Sequence, residues 1–268
     1  MYSAPRYLLG GDRAVIVEFA NEINEEVSRM IRRFSLALTR YPLSGVQEVV
    51  LTYRSLAVYF DPLTIEGHQL IGKLKGLQER IMELDLPPAR TIRVPTLYGG
   101  EYGPDLGDVA DHNGLTPDEV MSIHASATYL IYMLGFTPGF ASLGGLSPRI
   151  ACPRLANPRE RIPGGSVGIA GTQTGIYPID SPGGWRIIGR TPLKLYDPSA
   201  DPPVLFQAGD YLQFYSIDED EFRRISGAVA DGIYRPKIMA AAGSPLTSQI
   251  AAPNAEGAAA PVEGRRSR

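Results

Sequence analysis

The sequence predicts an α+β N-terminal domain followed by a mainly β barrel. Residues 1–88 alternate short apolar strands with amphipathic helical patterns, whereas residues 89–240 carry short apolar runs separated by glycine and proline. The dipeptide Pro87–Pro88 stops the last helical pattern of the first part and marks the boundary between the two domains. Residues 241–268 are small, polar and rich in alanine and proline, so they are expected to form a disordered tail.

The first domain has the predicted order strand, helix, strand, strand, helix. Residues 14–19 form an apolar strand, and the helix that begins near Asn24 carries acidic residues before basic ones, as the helix dipole favours. Residues 46–51 and 56–60 are the next two strands, and Thr64 is the expected N-cap of the second helix. This order is typical of a ferredoxin-like α+β sandwich.

The second domain begins with a new apolar run near Thr91. A helix is expected from Thr116, its N-cap, to about Ala125, with Pro117 in the first turn. Short strands at regular spacing then predict a barrel or sandwich. These strands are expected at residues 129–134, 167–169, 175–179, 185–188, 193–196 and 211–217.

Composition and charge exclude several classes of protein. The net charge of −3 over 268 residues does not suit binding to nucleic acid. The single cysteine, Cys152, excludes an intrachain disulfide and a cysteine-rich metal site. No apolar run approaches the length of a membrane span, and the N-terminus lacks the apolar core of a signal peptide. We therefore expect a cytoplasmic protein without a membrane partner.

Three motif matches fail on their context. Residues 67–74 nearly match a P-loop, but the eighth position is leucine and the run lies inside an amphipathic helix. Residues 164–168 match the nucleophile elbow G-x-S-x-G, but all three histidines precede Ser166 and no helical pattern follows it. His112 and His124 lack the spacing of metal ligands, so no metal site is expected.

The strongest functional signal lies in residues 135–191. They hold twelve of the 29 glycines and six arginines, but one glutamate, one aspartate and no lysine or histidine. Glycine permits close approach of the backbone, and the planar arginine fork binds carboxylates and phosphates. The segment therefore predicts loops around an anionic small molecule, although a tight barrel with many turns would explain the glycines equally well.

Several side chains in or near this segment have two interpretations. Arg159 and Arg190 either point inward from their turns or lie on the surface. Trp185 is either a platform for a ring or part of the core. His124 ends the helix before the segment and is either a general acid–base or a buried histidine beside the helix C-terminus.

Ordered sequence runs between residues 7 and 220 carry a family resemblance. They are GDRA (11–14), YGGEYGPDL (98–106), LGFTPGF (134–140), LGGL (143–146), PR (158–159), IPGGSVGIAG (162–171), QTGIYP (173–178), SPGGW (181–185) and GRTP (189–192). In these runs the chain resembles the B-subunit family of bacterial 5-oxoprolinase, also called allophanate hydrolase subunit 1, which includes an inhibitor of a sporulation histidine kinase. The run Ala141–Ser142–Leu143 departs from the family, which more often has a proline and a tyrosine there. If this loop faces the ligand, the loss of an aromatic side chain would alter the shape of the pocket.

The resemblance implies a cyclophilin-like barrel and an obligate partner, the C subunit of 5-oxoprolinase, whose barrel is related to this one. A third protein, the A subunit, would complete an enzyme that opens 5-oxoproline to L-glutamate with ATP and Mg²⁺. Without a P-loop, ATP would bind in a site of another kind, for which a site shared with the partner is one candidate. Related domains form the carboxyltransferase part of urea carboxylase, so urea-derived substrates are an alternative. A histidine-kinase inhibitor without turnover is another.

With this resemblance, the expected site residues fall into two sets. The catalytic set contains two arginines that hold a carboxylate or phosphate and a histidine that carries a proton: Arg159, Arg190 and His124. The substrate-binding set combines backbone N–H donors, polar side chains that suit a lactam, and aromatic rings: Gly164, Gly165, Ser166, Gln173, Thr174, Phe136, Phe140 and Trp185.

Overall fold

A four-stranded antiparallel sheet with two helices forms the first part of the chain in the computed structural model, which describes residues 1–240. The elements are β1 (Arg6–Leu9), β2 (Ala14–Glu18), α1 (Glu25–Arg40), β3 (Val46–Leu51), β4 (Ser55–Phe60) and α2 (Gly67–Gln78). The strand order is β1-β2-β4-β3. The predicted tail, residues 241–268, lies outside the described residues.

The helix starts show where local prediction succeeded and where it failed. Asn24 caps α1 as expected, because its side-chain oxygen accepts a hydrogen bond from the N–H of Val27 at 2.9 Å. The prediction that Thr64 caps α2 is wrong, because the helix begins three residues later and Glu66 occupies the N-cap position. The Thr64 hydroxyl instead donates to the carboxylate of Asp61 at 2.9 Å and closes the turn that follows β4.

The second part of the chain is mostly β. Its helices are α3 (Leu106–Asn113), α4 (Pro117–Ser126) and α5 (Glu219–Ala230). Its strands are β5 (Arg90–Tyr98), β6 (Tyr129–Leu134), β7 (Ala141–Gly144), β8 (Arg159–Ile162), β9 (Ser166–Ala170), β10 (Gln173–Ile176), β11 (Ser181–Gly183), β12 (Arg186–Arg190), β13 (Tyr211–Ser216) and β14 (Ile238–Ala240). Short 3₁₀ turns lie at Ile81–Glu83 and Pro148–Ile150.

Eight of these strands form a sheet that closes on itself almost completely. The path is β10-β9-β12-β5-β13-β6-β7, with β14 also paired to β5, and β10 lies against β7 where the two ends of the path meet. Strands β8 and β11 form a separate two-stranded ribbon. This nearly closed barrel-like sheet agrees with the mainly β prediction for this part of the chain.

One predicted strand is absent from the described sheets. Residues 193–196 contribute only an isolated bridge between Tyr196 and Val204. Their apolar character has another cause, since Leu193 and Leu195 are buried in the barrel core. The backbone of this segment pairs outside the sheet, where the N–H of Leu205 donates to the carbonyl of Leu195 at 3.0 Å.

Two separate apolar clusters hold the two parts of the fold. The first lies between the four-stranded sheet and its helices and includes Val15, Phe34 and Leu70. The second fills the barrel and includes Ile169 and Phe214. No helix within residues 1–240 has the length and apolar character needed to cross a membrane.

Candidate functional site

A cavity of about 280 Å³ lies where the barrel closes. Strands β7 and β10 meet there and contribute Ser142 and Gln173, and the turn between β3 and β4 reaches across from the N-terminal part. Four of the predicted substrate-binding residues meet in this cavity. The lining residues are Tyr53, Phe136, Phe140, Ser142, Arg154, Gln173, Tyr177, Pro182, Gly183, Gly184 and Trp185.

Aromatic rings form one wall of the cavity. Phe140 stands at its centre, with ring centroids 5.7 Å from Trp185, 6.0 Å from Tyr177 and 5.9 Å from Phe136, all in edge-to-face arrangements. Such pairs prefer this geometry because the positive edge of one ring meets the negative face of the other. Gly175 lies beneath them, and a Cβ there would lie 3.0 Å from the Trp185 ring. The absent side chain at position 175 therefore lets these rings pack on the strand.

Phe136 is held in an unfavourable conformation at the cavity mouth. Its φ of +76° lies in the left-handed region, and its side chain is 85% exposed. A bulky residue rarely adopts this backbone conformation without compensation, and strain of this kind concentrates at ligand sites. This combination of exposure and positive φ makes Phe136 a candidate contact for a ligand at the cavity mouth.

Polar groups in the cavity are few. The Gln173 amide donates a hydrogen bond to the Tyr53 hydroxyl and so fixes the turn of the N-terminal part against the barrel. Arg154 is exposed at the cavity and forms no ion pair with any carboxylate of residues 1–240. Arg154 is one of the six arginines of the segment that predicted an anion site, but the sequence did not single it out. Tyr53 was missed, because nothing in the order of the residues brings the turn between β3 and β4 to the aromatic wall.

The two predicted catalytic arginines lie elsewhere. Arg159 holds Asp105 with both ends of its fork, at 2.9 and 2.7 Å, and the hydrogen bond raises the pKa of the guanidinium. Arg190 places its guanidinium 5.7 Å from the centre of the Tyr102 ring, and its Nε is buried without a hydrogen-bond partner in residues 1–240. Neither side chain lines the aromatic cavity.

His124 is fully buried in the barrel. Its Nδ1 lies 2.8 Å from the Tyr98 hydroxyl and its Nε2 lies 2.9 Å from the Thr174 hydroxyl, which itself donates to the carbonyl of Gly168 at 3.0 Å. This chain of bonds is satisfied when Nε2 carries the proton and Nδ1 accepts from the tyrosine. Burial lowers the pKa of His124 to about 3, so the ring is neutral near pH 7.

The predicted backbone donors are already in use. The N–H of Gly164 donates to Asp180, that of Gly165 to the Tyr177 carbonyl at 2.7 Å, and that of Ser166 to the Pro163 carbonyl at 3.2 Å. Within residues 1–240, no group of three or more histidine, cysteine, aspartate or glutamate side chains is arranged to hold a metal ion. Of the predicted substrate-binding residues, those that line a cavity are Phe136, Phe140, Gln173 and Trp185.

This chain is similar to one family of known proteins over most of its length. The family model described as carboxyltransferase domain, subdomain C and D, matches residues 5–206. Three curated proteins, each named as the B subunit of 5-oxoprolinase, are 38–43% identical to this chain. The one from Bacillus subtilis (strain 168) is 43% identical over 222 residues, which are 79% of this chain and 92% of that protein.

Two solved structures share the fold. The crystal structure of TTHA0988 has 36% sequence identity and a TM-score of 0.68 over 77% of this chain, and this chain spans only 40% of that longer one. The Kluyveromyces lactis urea carboxylase has a TM-score of 0.71 over 88% of this chain and 24% of its own. Its sequence identity is 22%, so that likeness concerns the fold.

Proposed function

Since the chain belongs to the B-subunit family of 5-oxoprolinase, within the carboxyltransferase domain subdomain C and D proteins, we propose that it is a component of a 5-oxoprolinase complex. This complex would open 5-oxo-L-proline to L-glutamate with ATP. The observation that carries the proposal is the identity of 38–43% to three curated proteins of that name.

The reaction requires activation of an amide. The lactam of 5-oxoproline is stabilised by resonance, so water attacks its carbonyl slowly. Transfer of the ATP γ-phosphoryl group to the lactam oxygen makes the ring carbon electrophilic. Water then adds to that carbon, and the ring C–N bond breaks as the nitrogen takes up a proton, which leaves γ-glutamyl phosphate. A second water hydrolyses this acyl phosphate to L-glutamate and inorganic phosphate. The protein must hold the small ring, its amide and its carboxylate in one orientation during these steps.

The aromatic cavity has a group for each part of that substrate. The flat ring packs against Phe140 and Trp185, with Phe136 closing over it. The carboxylate binds the unpaired Arg154, and the lactam binds the Gln173 amide. A small, largely apolar cavity with a few convergent polar groups is the usual form of a small-molecule site.

The roles predicted for Arg159, Arg190 and His124 stay predictions. Their contacts support a positioning role: Arg159 fastens β8 to the start of α3 through Asp105, and His124 joins α4 to β5 and β10. Thr174 belongs to the same buried chain of hydrogen bonds, and Gly164, Gly165 and Ser166 shape the turn that enters β9.

The finer organisation belongs to this proposal. We assign residues 1–88 to a ferredoxin-like domain and residues 89–240 to a cyclophilin-like barrel. The strand order of the first sheet, the near closure of the second and their separate apolar clusters support the assignment. The partners are the A and C subunits of 5-oxoprolinase, and ATP with Mg²⁺ binds at a site shared with a partner.

Reconstitution tests the function. Glutamate release from 5-oxoproline is measured with this chain, the A and C subunits, and ATP, and again with each component left out. We expect release only from the complete mixture. If an assembled complex releases no glutamate, the same complex is tested with urea and with allophanate. Depletion of either compound would replace the proposed substrate with a urea-derived one. No turnover of either substrate class would contradict an enzymatic role.

Substitution of Arg154 tests the site within that complex. Arg154→Gln is expected to raise KM for 5-oxoproline by about tenfold or more, because a charge-assisted hydrogen bond to the substrate carboxylate is lost. Arg149→Gln is the matched control, since Arg149 is exposed in the same segment but does not line the cavity. Equal KM values for both variants would remove Arg154 from the site.

A further inference from the structure

A second cavity, of about 330 Å³, lies at the junction of the two parts of the chain. One wall is the face of α1 that carries residues 32, 35, 36 and 39, which share a face because they are spaced by three or four positions. The opposite wall is the turn at residues 207–210, together with Arg90. This cavity shares no lining residue with the aromatic one: Leu51 lines the junction cavity and Tyr53 lines the other.

Arg32 is the unusual residue of this cavity. Its Nε is buried and has no hydrogen-bond partner in residues 1–240. Its guanidinium forms no ion pair within those residues, and burial lowers its pKa. A buried donor on a charged group costs free energy when it has no hydrogen-bond partner. A ligand with an acceptor oxygen at this position would remove that cost.

The nearby carboxylate does not supply that acceptor. Asp210 is buried, and Arg90 engages both of its oxygens, with the Nε bond at 2.9 Å. The N–H of Gln207 also donates to Asp210 at 2.9 Å. Asp210 therefore accepts three hydrogen bonds, none of them from Arg32, and attracts the Arg32 guanidinium only from beyond ion-pair distance. With two arginines and one carboxylate, the described lining of the cavity has an excess of one positive charge.

The turn at residues 207–210 is shaped to leave room for the Arg32 side chain. Gly209 has a φ of +94°, and a Cβ there would overlap Nη1 of Arg32. A residue with a side chain at this position would have to displace the guanidinium. The fold thus holds the Arg32 cation against a cavity wall on which no carboxylate of residues 1–240 lies within ion-pair distance of it.

We propose that the junction cavity binds a small oxyanion, a phosphate or a carboxylate, on the Arg32 guanidinium. The planar fork of arginine matches two oxygens of either group. The Ser35 side chain lies one helical turn further along the same wall. The site neither depends on the proposed enzymatic function nor shares a lining residue with the aromatic cavity.

Titration calorimetry on the full chain tests this site, with inorganic phosphate and L-glutamate as separate probes at constant ionic strength. We expect saturable binding of one probe per chain, and a loss of affinity of about tenfold or more in Arg32→Gln. Arg29→Gln is the control, because Arg29 lies on the same helix and pairs with Glu25 on the surface. The tighter probe identifies the class of anion.

A second variant keeps the test decisive if Arg32→Gln folds poorly. Ser35→Glu places a carboxylate three residues from Arg32 on the same face, where it takes the position of the anion. We expect this variant to lose phosphate and glutamate binding while its thermal midpoint stays equal to or above that of the parent chain. Absence of saturable binding in the parent chain, or equal affinity in Arg32→Gln and Arg29→Gln, would overturn the proposal.

Discussion

Asp105 and Asp108 lie three residues apart and each pairs with an arginine, but they differ in burial. The Asp105 side chain is 6% exposed and accepts three hydrogen bonds, two from Arg159 and one from the N–H of Ile187, whereas Asp108 is 59% exposed. Removing one member of a buried ion pair leaves the other charge buried and unpaired, which lowers the free energy of unfolding. An exposed ion pair contributes little to that free energy.

Asp105→Asn is therefore expected to lower the free energy of unfolding by about 2–3 kcal/mol, a range reduced because Arg159 is partly exposed. Asp108→Asn serves as the matched control and is expected to change it by about 0.5 kcal/mol or less. Urea denaturation of both variants measures the difference. Equal destabilisation would show that burial does not set the contribution of Asp105.

His124 gives a second prediction at the level of the residue, through pH. The folded chain keeps the ring neutral down to a pKa of about 3, while the unfolded chain takes up a proton near the ordinary value of 6.5. Between these values the unfolded state binds more protons, so stability falls as the pH is lowered from about 6.5.

The comparison that isolates this effect uses His124→Gln. When the free energy of unfolding is plotted against pH between pH 6 and 4, the slope for the variant is expected to be smaller than that of the parent chain by about 1.4 kcal/mol per pH unit. His68→Gln, the same substitution at an exposed histidine, is measured beside it as the control. An unchanged slope in His124→Gln would mean that the ring is protonated in the folded protein.

Among the elements, helix starts were predictable where the signal is local. Thr116 and Glu119 form a complete capping box, with Pro117 in the first turn, and all three residues carry that signal in the sequence. Thr64 is also a residue type that often caps helices, but it lies in a turn. Its hydroxyl donates a hydrogen bond to the carboxylate of Asp61, three residues earlier. Residue type alone does not distinguish a helix cap from a turn, because a threonine side chain can form the hydrogen bonds of either one.

The capping box gives a prediction for α4. Thr116→Ala is expected to cost about 1 kcal/mol of unfolding free energy, because the lost hydroxyl accepts from the N–H of Glu119 and donates to the Glu119 carboxylate. Thr64→Ala should cost less than about 0.5 kcal/mol. Chemical denaturation checks both, and a larger loss in Thr64→Ala would contradict the assignment of α2.

The loop between β6 and β7 combines strain with a site. Phe136→Gly removes both the ring and the strain of a positive φ, whereas Phe136→Ala removes only the ring. We expect Phe136→Gly to gain about 1 kcal/mol in stability and Phe136→Ala to gain nothing, while both bind 5-oxoproline more weakly in the assembled complex. Denaturation and KM measurements separate the two effects, and equal stability of the variants would show that Phe136 is not strained.

The site was predictable only in part. Phe136, Phe140, Gln173 and Trp185 lie in the glycine-rich segment, and the barrel brings them together. Tyr53 joins them from a turn more than eighty residues away, and this depends on how the N-terminal part packs on the barrel. The partners of Arg159 and His124 are likewise distant in sequence, so their pairing and burial required the fold.

At the scale of the whole molecule, the predicted boundary at Pro87–Pro88 lies between the two apolar clusters, and the division into domains stays a prediction. The apolar cluster of the first part ends at Leu84 and that of the barrel begins at Ile92. The sequence did not indicate that β1 would complete the first sheet, because residues 6–9 are mostly exposed and lack the alternation of a half-buried strand. Edge strands of this kind are held by pairing more than by burial.

Because the two parts of the chain have separate apolar clusters, a substitution in one cluster is expected to destabilise only that part. Leu70→Ala removes a fully buried side chain from the first cluster and is expected to cost about 2–5 kcal/mol there. Hydrogen exchange measured by mass spectrometry should then rise in peptides from residues 1–88 and stay near the parent rate in peptides from the barrel. Ile169→Ala, in the barrel cluster, should give the reverse pattern. If each substitution raises exchange equally in both parts, the chain unfolds as one cooperative unit and the proposed domain division fails.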